Sequence, residues 1–251
     1  QNSGGGTYEP IEESGSYGAI PDAGFAVGSY RLLAGEGYDP SPGAVFDGAP
    51  LAVVDGNYNV PEDTTQNRVA YGLTGQAGYD RWGDWCASCH AGMHSAGGAG
   101  TVHPVDENLN GTSNIYEKYN WYVKTGDLQG NDTNSYNTLV PIVENEDDIT
   151  ALLALVGDNR EGAQGDAHVT CLSCHRAHAS AWPYALRWNG EAEFLTVTDV
   201  GGNPVYPSAD LNATNYGQFH LGYSDAEMTA AYYGRPATVF AGYQPSLCNK
   251  C

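Results

Sequence analysis

The apolar positions of this chain come in short pieces. Tyr30–Leu33 and Leu51–Val54 lie between Gly, Pro and Asp turns and read as short strands or coil. Three stretches carry helix boundaries. Asn114 and Glu117 stand at capping-box spacing ahead of a segment through Lys124 that ends by Gly126. Asp148 to Val156 stops at Gly157. Ser224 and Glu227 form a clearer box at the head of a helix through Tyr233, stopped by Gly234 with Pro236 beyond. Residues 191–206 hold Glu193–Thr198 and then Gly201-Gly202, the pattern of a small hairpin. The longest apolar candidate, Ile149 to Val156, is far too short to cross a bilayer. The pattern therefore predicts mostly coil with short α-helices and a few short strands. It divides into a Gly- and acid-rich N-terminal segment, 1–80, and a continuous region, 81–251.

Composition sharpens this. Thirty acidic residues against ten basic ones give a net charge of −20, which excludes a nucleic-acid binder of the ordinary electrostatic kind. Charged residues are only 16%, so the chain is no charged disordered tail either. Gly at 33 and Tyr at 18 suit a chain that wraps a large cofactor with loops and aromatic contacts. The opening on Gln1 reads as that of a secreted protein whose leader has been removed.

The six cysteines fall in three pairs of one spacing: Cys86/Cys89, Cys171/Cys174 and Cys248/Cys251. Cys86-Ala-Ser-Cys89-His90 and Cys171-Leu-Ser-Cys174-His175 are both CxxCH, the attachment signature of a c-type haem. The spacing has a mechanical reason. Two thiols three residues apart on a helical turn reach two vinyl groups on one porphyrin edge, and the following imidazole reaches the iron as proximal ligand. Zinc is the competing reading, but the two pairs are too far apart in sequence for a compact ribbon. A thioredoxin-type CxxC leaves the following His unexplained. Cys248-Asn-Lys-Cys251 lacks that His. It reads as a third haem site, either with a His that follows beyond the last residue given or with a proximal ligand from elsewhere, and a plain disulfide is its alternative.

With His90 and His175 as proximal ligands, His94, His103, His168, His178 and His220 are left over, against only Met93 and Met228. Met ligation can serve few irons, so the spare His are candidate distal ligands of bis-His haems. His94 and His178 follow their proximal His by four and three residues. They lie near the same helix face and suit a neighbouring haem better than their own. His103 precedes Pro104 in an extended loop. A solvent-facing or core His is the alternative at each position, most of all at His168 and His220. Trp82, Trp85, Trp182 and Trp188 are expected to pack either on porphyrins or in ordinary core. The acidic run Glu144–Asp148 reads as a solvated face, with a calcium site as the alternative. Asn110-Gly-Thr112, Asn131-Asp-Thr133 and Asn212-Ala-Thr214 match the glycosylation acceptor and read as chance loop sequences.

Several stretches go beyond generic haem motifs. They are Asn67–Gly72, Trp85–His90, His103-Pro104, Leu139–Pro141, Cys171–Ser180, and Tyr232–Ala237 leading into Leu247–Cys251. Together, from Arg31 to Cys251, they resemble the secreted multihaem c-type cytochromes of metal-reducing bacteria, some of which polymerise into extracellular filaments. That resemblance implies a fold organised around covalently bound haems. It also implies extracellular electron transfer with no catalysis, and assembly with copies of itself. External acceptors or other cytochromes are its further partners. His94, His103 and His178 match the family pattern of distal ligands. The chain departs from the pattern at its last motif, which lacks the His, and in having no haem motif in 1–81.

Three functions are weighed on these grounds: a filament subunit or soluble electron shuttle, a multihaem reductase, and a zinc-binding structural protein. A reductase needs an iron with an open distal position. Five spare His for three irons, and a charge that repels anions, argue against it.

Overall fold

The computed structural model describes residues 50–55, 68–73, 81–87, 90, 108–109, 115–123, 130–176, 182–211, 222–232, 234 and 237. Regular structure among them is sparse. Strands β1 (Ala52–Val53) and β2 (Ala70–Tyr71) form one antiparallel pair, with Ala52 opposite Tyr71. Helices α1 (Trp82–Ala87), α2 (Ile115–Trp121), α3 (Ile149–Leu153) and α4 (Cys171–Cys174) follow. A 3-10 turn (Pro183–Ala185) precedes a second antiparallel pair, β3 (Val197–Thr198) with β4 (Pro204–Val205), and then α5 (Asp225–Ala231). The expected fold of coil with short helices and strands is what these residues adopt. None of their helices is long and apolar enough to cross a membrane.

The boundaries follow from capping chemistry. Asp148 caps α3 by accepting from the Thr150 amide at 2.7 Å. Ser224 and Glu227 make the reciprocal box on α5: the Glu227 carboxylate accepts from the Ser224 amide at 2.8 Å, and the Ser224 hydroxyl accepts from the Glu227 amide at 3.3 Å. The Ser224 amide and hydroxyl, both donating to the ionised carboxylate, hold Glu227 below the usual carboxylate range. Beyond α5, Gly234 takes a left-handed φ of 74° and its amide returns to Thr229 O. In the β3–β4 hairpin the Asp199 carboxylate accepts from the Gly201 and Asn203 amides, 2.8 Å each, around Gly202. The helix expected to reach Val156 stops at Leu153, and the chain turns at Gly157.

Most of the structure is held by polar side chains that satisfy irregular backbone. Asn120 donates to Ala163 O at 2.8 Å and accepts from the Ser135 hydroxyl and the Ala163 amide. Gly162 passes so close that a Cβ there would lie 1.8 Å from Ser135 Oγ. Around this knot lies the main apolar cluster, which includes Leu139, Ile142, Trp182, Trp188, Met228 and Tyr232. A smaller one joins Trp82, Trp85, Val143 and Leu172.

The expected solvated acidic face is only partly that. Glu146 and Asp148 accept backbone amides at the surface. Glu144 is buried. Its carboxylate meets Arg68 Nη2 at 2.5 Å, with the two side chains 9% and 1% exposed. Arg68 also donates to Glu161 O at 2.5 Å and lies 3.8 Å over the Tyr136 ring. Its backbone exchanges hydrogen bonds with Gly157, and Glu144 N donates to Tyr71 O. The described parts of segment 1–80 are thus stitched into 143–161. No cluster of three or more His, Cys, Asp or Glu suited to a metal ion is present among the described residues.

Burial pushes the Glu144 carboxyl from 4.5 up to about 7, against the pull of Arg68. A carboxyl with a raised folded pKa holds its proton more tightly in the folded state. Its stabilising contribution is fully present below about 4.5 and is lost as pH rises through about 7. Melting temperatures of the native chain and of Glu144→Gln across this range are expected to diverge, the native chain losing ground as pH rises. Parallel curves would contradict the raised proton affinity.

Candidate functional site

The first motif sits on α1. Trp82 and Trp85 face inward, their rings in edge contact at 5.2 Å, and Tyr71 meets Trp82 edge-on at 5.5 Å. Trp82 Nε1 donates to Leu51 O, which ties the helix to the strand segment. With that face buried, Cys86 is left half-exposed on the last turn, and the His90 amide donates to Cys86 O at 3.0 Å. His90 itself is exposed. Cys89 lies outside the described residues.

The second motif is α4 itself. The Thr170 amide donates to Ser173 Oγ at 3.1 Å, and Ser173 N returns to Thr170 O. Leu172 and Ser173 are buried, so Cys171 and Cys174, three residues apart, share the opposite, half-exposed face. Neither they nor Cys86 form a disulfide. The His175 amide closes the turn on Cys171 O at 2.8 Å, and His175 then leaves the helix with extended backbone. His175 Nδ1 lies 2.8 Å from Tyr184 O. A carbonyl can only accept, so Nδ1 carries the proton and Nε2 is the lone-pair nitrogen. Two reduced thiols on one face, followed by an imidazole with Nε2 as its lone-pair nitrogen, form the donor set that a covalently attached haem requires.

A strap from Pro183 to Arg187 crosses this motif. Tyr184 and Ala185 adopt left-handed φ of 60° and 57°, a conformation costing roughly 1–2 kcal/mol for each L-residue. The Arg176 amide donates to Ala185 O and the Arg187 amide to Cys174 O, 2.8 Å each. Buried Arg187 donates through Nε to Leu172 O at 2.5 Å and to His175 O at 3.1 Å. Nothing in the sequence marked this strap. Its two left-handed residues are not Gly, and its buried cation donates to carbonyls of the motif.

The two motifs are neighbours. Helices α1 and α4 pack together, with Trp85 and Leu172 in one apolar cluster. His168, three residues before α4, is 1% exposed, and its backbone pairs in both directions with Val143. Trp182 and Trp188 are buried in the larger cluster. His94, His103, His178, His220, Cys248 and Cys251 lie outside the described residues.

No protein-family model matches the chain. Over 252 residues it is 42% identical to the c-type cytochrome OmcS of Geobacter sulfurreducens, covering 96% of this chain and 56% of that protein. The chain is thus similar to a c-type cytochrome over nearly its whole length. Two solved structures agree. Cryo-EM of the OmcS nanowires superimposes with a TM-score of 0.69 at 39% identity, and an outer membrane cytochrome S filament with 0.67 at 41%. Each match covers 96% of this chain and 59% of the other. The chain thus spans a little over half the length of the relatives it matches. The resemblance carried by the motifs and their flanking stretches is borne out, and haem c is the cofactor it implies.

Arg187→Met removes the charged donor from two motif carbonyls while keeping much of the volume. It is expected to cost about 2–3 kcal/mol of stability, measured by denaturant unfolding. A loss within a few tenths of a kcal/mol would show that water replaces the guanidinium.

Proposed function

We propose that this chain carries electrons outside the cell as the subunit of a polymeric c-type cytochrome filament. The observation that carries the reading is the packing of α1 against α4, which makes neighbours of the two motif helices. Electron transfer weakens steeply with distance, so adjacent sites are what a conducting path needs. The covering of nearly the whole chain by a filament-forming relative supports the polymer.

In this reading Cys86/Cys89 and Cys171/Cys174 form the thioether bonds, with His90 and His175 as proximal ligands. Cys248/Cys251 attach a third haem. His94, His103 and His178 serve as distal ligands, with His168 and His220 as further candidates. Haem c supplies reversible one-electron chemistry when bound. The protein's part is to fix the axial imidazoles and, with Trp82 and Trp85, to keep water from one side of the first motif. The partners are further copies of this chain, then extracellular acceptors or other cytochromes. The −20 charge makes the approach of copies unfavourable at low ionic strength and less so as salt screens it.

Replacing Cys171 and Cys174 together by Ala is expected to lower the covalent haem content by one per chain, read by intact-protein mass spectrometry. Unchanged haem mass would reject the assignment at that motif. Cryo-electron microscopy of the native protein tests the assembly. Ordered filaments with a continuous line of porphyrin density are expected, and dispersed single particles would return the chain to a soluble shuttle.

A further inference from the structure

We propose that the Pro183–Arg187 strap is a positioning element for His175, holding its Nδ1–H on the Tyr184 carbonyl and so setting the electron density its Nε2 presents to a metal. The inference rests on the reading of His175 as an axial ligand.

Tyr184 and Ala185 are the only non-Gly residues of positive φ among the described residues. Such a conformation persists only where its surroundings over-determine it. Packing of the Tyr184 ring does not explain it, because Tyr184 is 87% exposed. The backbone does. The left-handed pair reverses the chain so that two successive carbonyls face the motif, Tyr184 O to His175 Nδ1 and Ala185 O to the Arg176 amide. One step further the chain returns, with the Arg187 amide on Cys174 O and Arg187 Nε on Leu172 O. The strap is therefore anchored on the residues immediately before and after His175. An acceptor pinned on both sides cannot slide along the motif, and the imidazole it holds cannot change tautomer or rotate without breaking the bond.

An imidazole whose Nδ1–H is held by a carbonyl is a more basic ligand at Nε2. A more basic axial ligand favours the oxidised iron, so second-shell hydrogen bonding of this kind lowers a reduction potential. Loss of the strap geometry should raise it.

Ala185→Pro tests this in the full chain with its haems attached. Proline cannot adopt positive φ and also drives the preceding residue into extended backbone, so both Tyr184 and Ala185 leave the left-handed region. Peptide mass mapping first establishes whether haem is bound to the Cys171–His175 peptide. The expected result is haem retained there and one haem shifted toward the reduced form by about tenfold at fixed electrode potential, ~59 mV for one electron. The His175 Nδ1–H resonance should exchange faster with solvent. Ala185→Gly, which keeps positive φ available, should restore the native potential and exchange. Should the proline variant fail to fold, Ala185→Val, β-branched at positive φ, carries the same prediction at smaller amplitude. Haem present with unchanged potential and exchange overturns the inference alone. Haem missing from the native peptide overturns the ligand assignment and the inference with it.

Discussion

A guanidinium buried almost completely is the constraint around which this structure is arranged. Arg68 keeps its charge at any pH a protein meets, so its burial demands acceptors on several sides. Glu144 provides a carboxylate, Glu161 a carbonyl and Tyr136 a ring face. These partners come from three points of segment 136–161, and Arg68 comes from far earlier in the chain. Breaking such an arrangement by removing one partner strands a charge out of water, which is where the large costs lie. The pair is therefore less a source of net stability than a specification of which segments must meet.

The haem motifs inherit their positions from that meeting. Val143, next to Glu144, pairs with His168 through backbone in both directions. His168 leads directly into α4, while Leu51, hydrogen-bonded by Gly72, accepts from Trp82 at the start of α1. The same seam of irregular backbone thus fixes both motif helices, and Trp85 against Leu172 closes the gap between them. Helices of six and four residues have little stability of their own. They hold because each buries one face and is hydrogen-bonded at its ends. The other face of α4 carries the half-exposed Cys171 and Cys174.

Much of this was legible in residue types. The CxxCH spacing named the chemistry, and the flanking stretches named the relatives. Ser224/Glu227, Asp148 and Gly157, and Gly201-Gly202 marked elements that form near where they were expected, because caps and turns are local chemistry. What could not be read was long-range. Glu144 looks like the first member of a solvated acidic run, and only its distant partner Arg68 makes it a core residue. Trp182 and Trp188 could equally have faced porphyrin or protein, and they lie in the protein's own apolar cluster. Nothing in the sequence singled out Arg187, one of the chain's few cations, which binds carbonyls under the second motif.

The strap over α4 also bears on how such proteins diverge. Its contacts with the motif are made by Tyr184 O, Ala185 O and the Arg187 amide, together with one guanidinium. Main-chain atoms are the same in every residue. Natural drift can rewrite the side chains of 184 and 185 while the imidazole keeps its acceptor, provided the backbone still turns left-handed there. A relative could preserve this contact and share no residue at either position, and residue-by-residue comparison would pass over it. The inheritance at this point is a shape, detectable by superposing backbones and silent in an alignment.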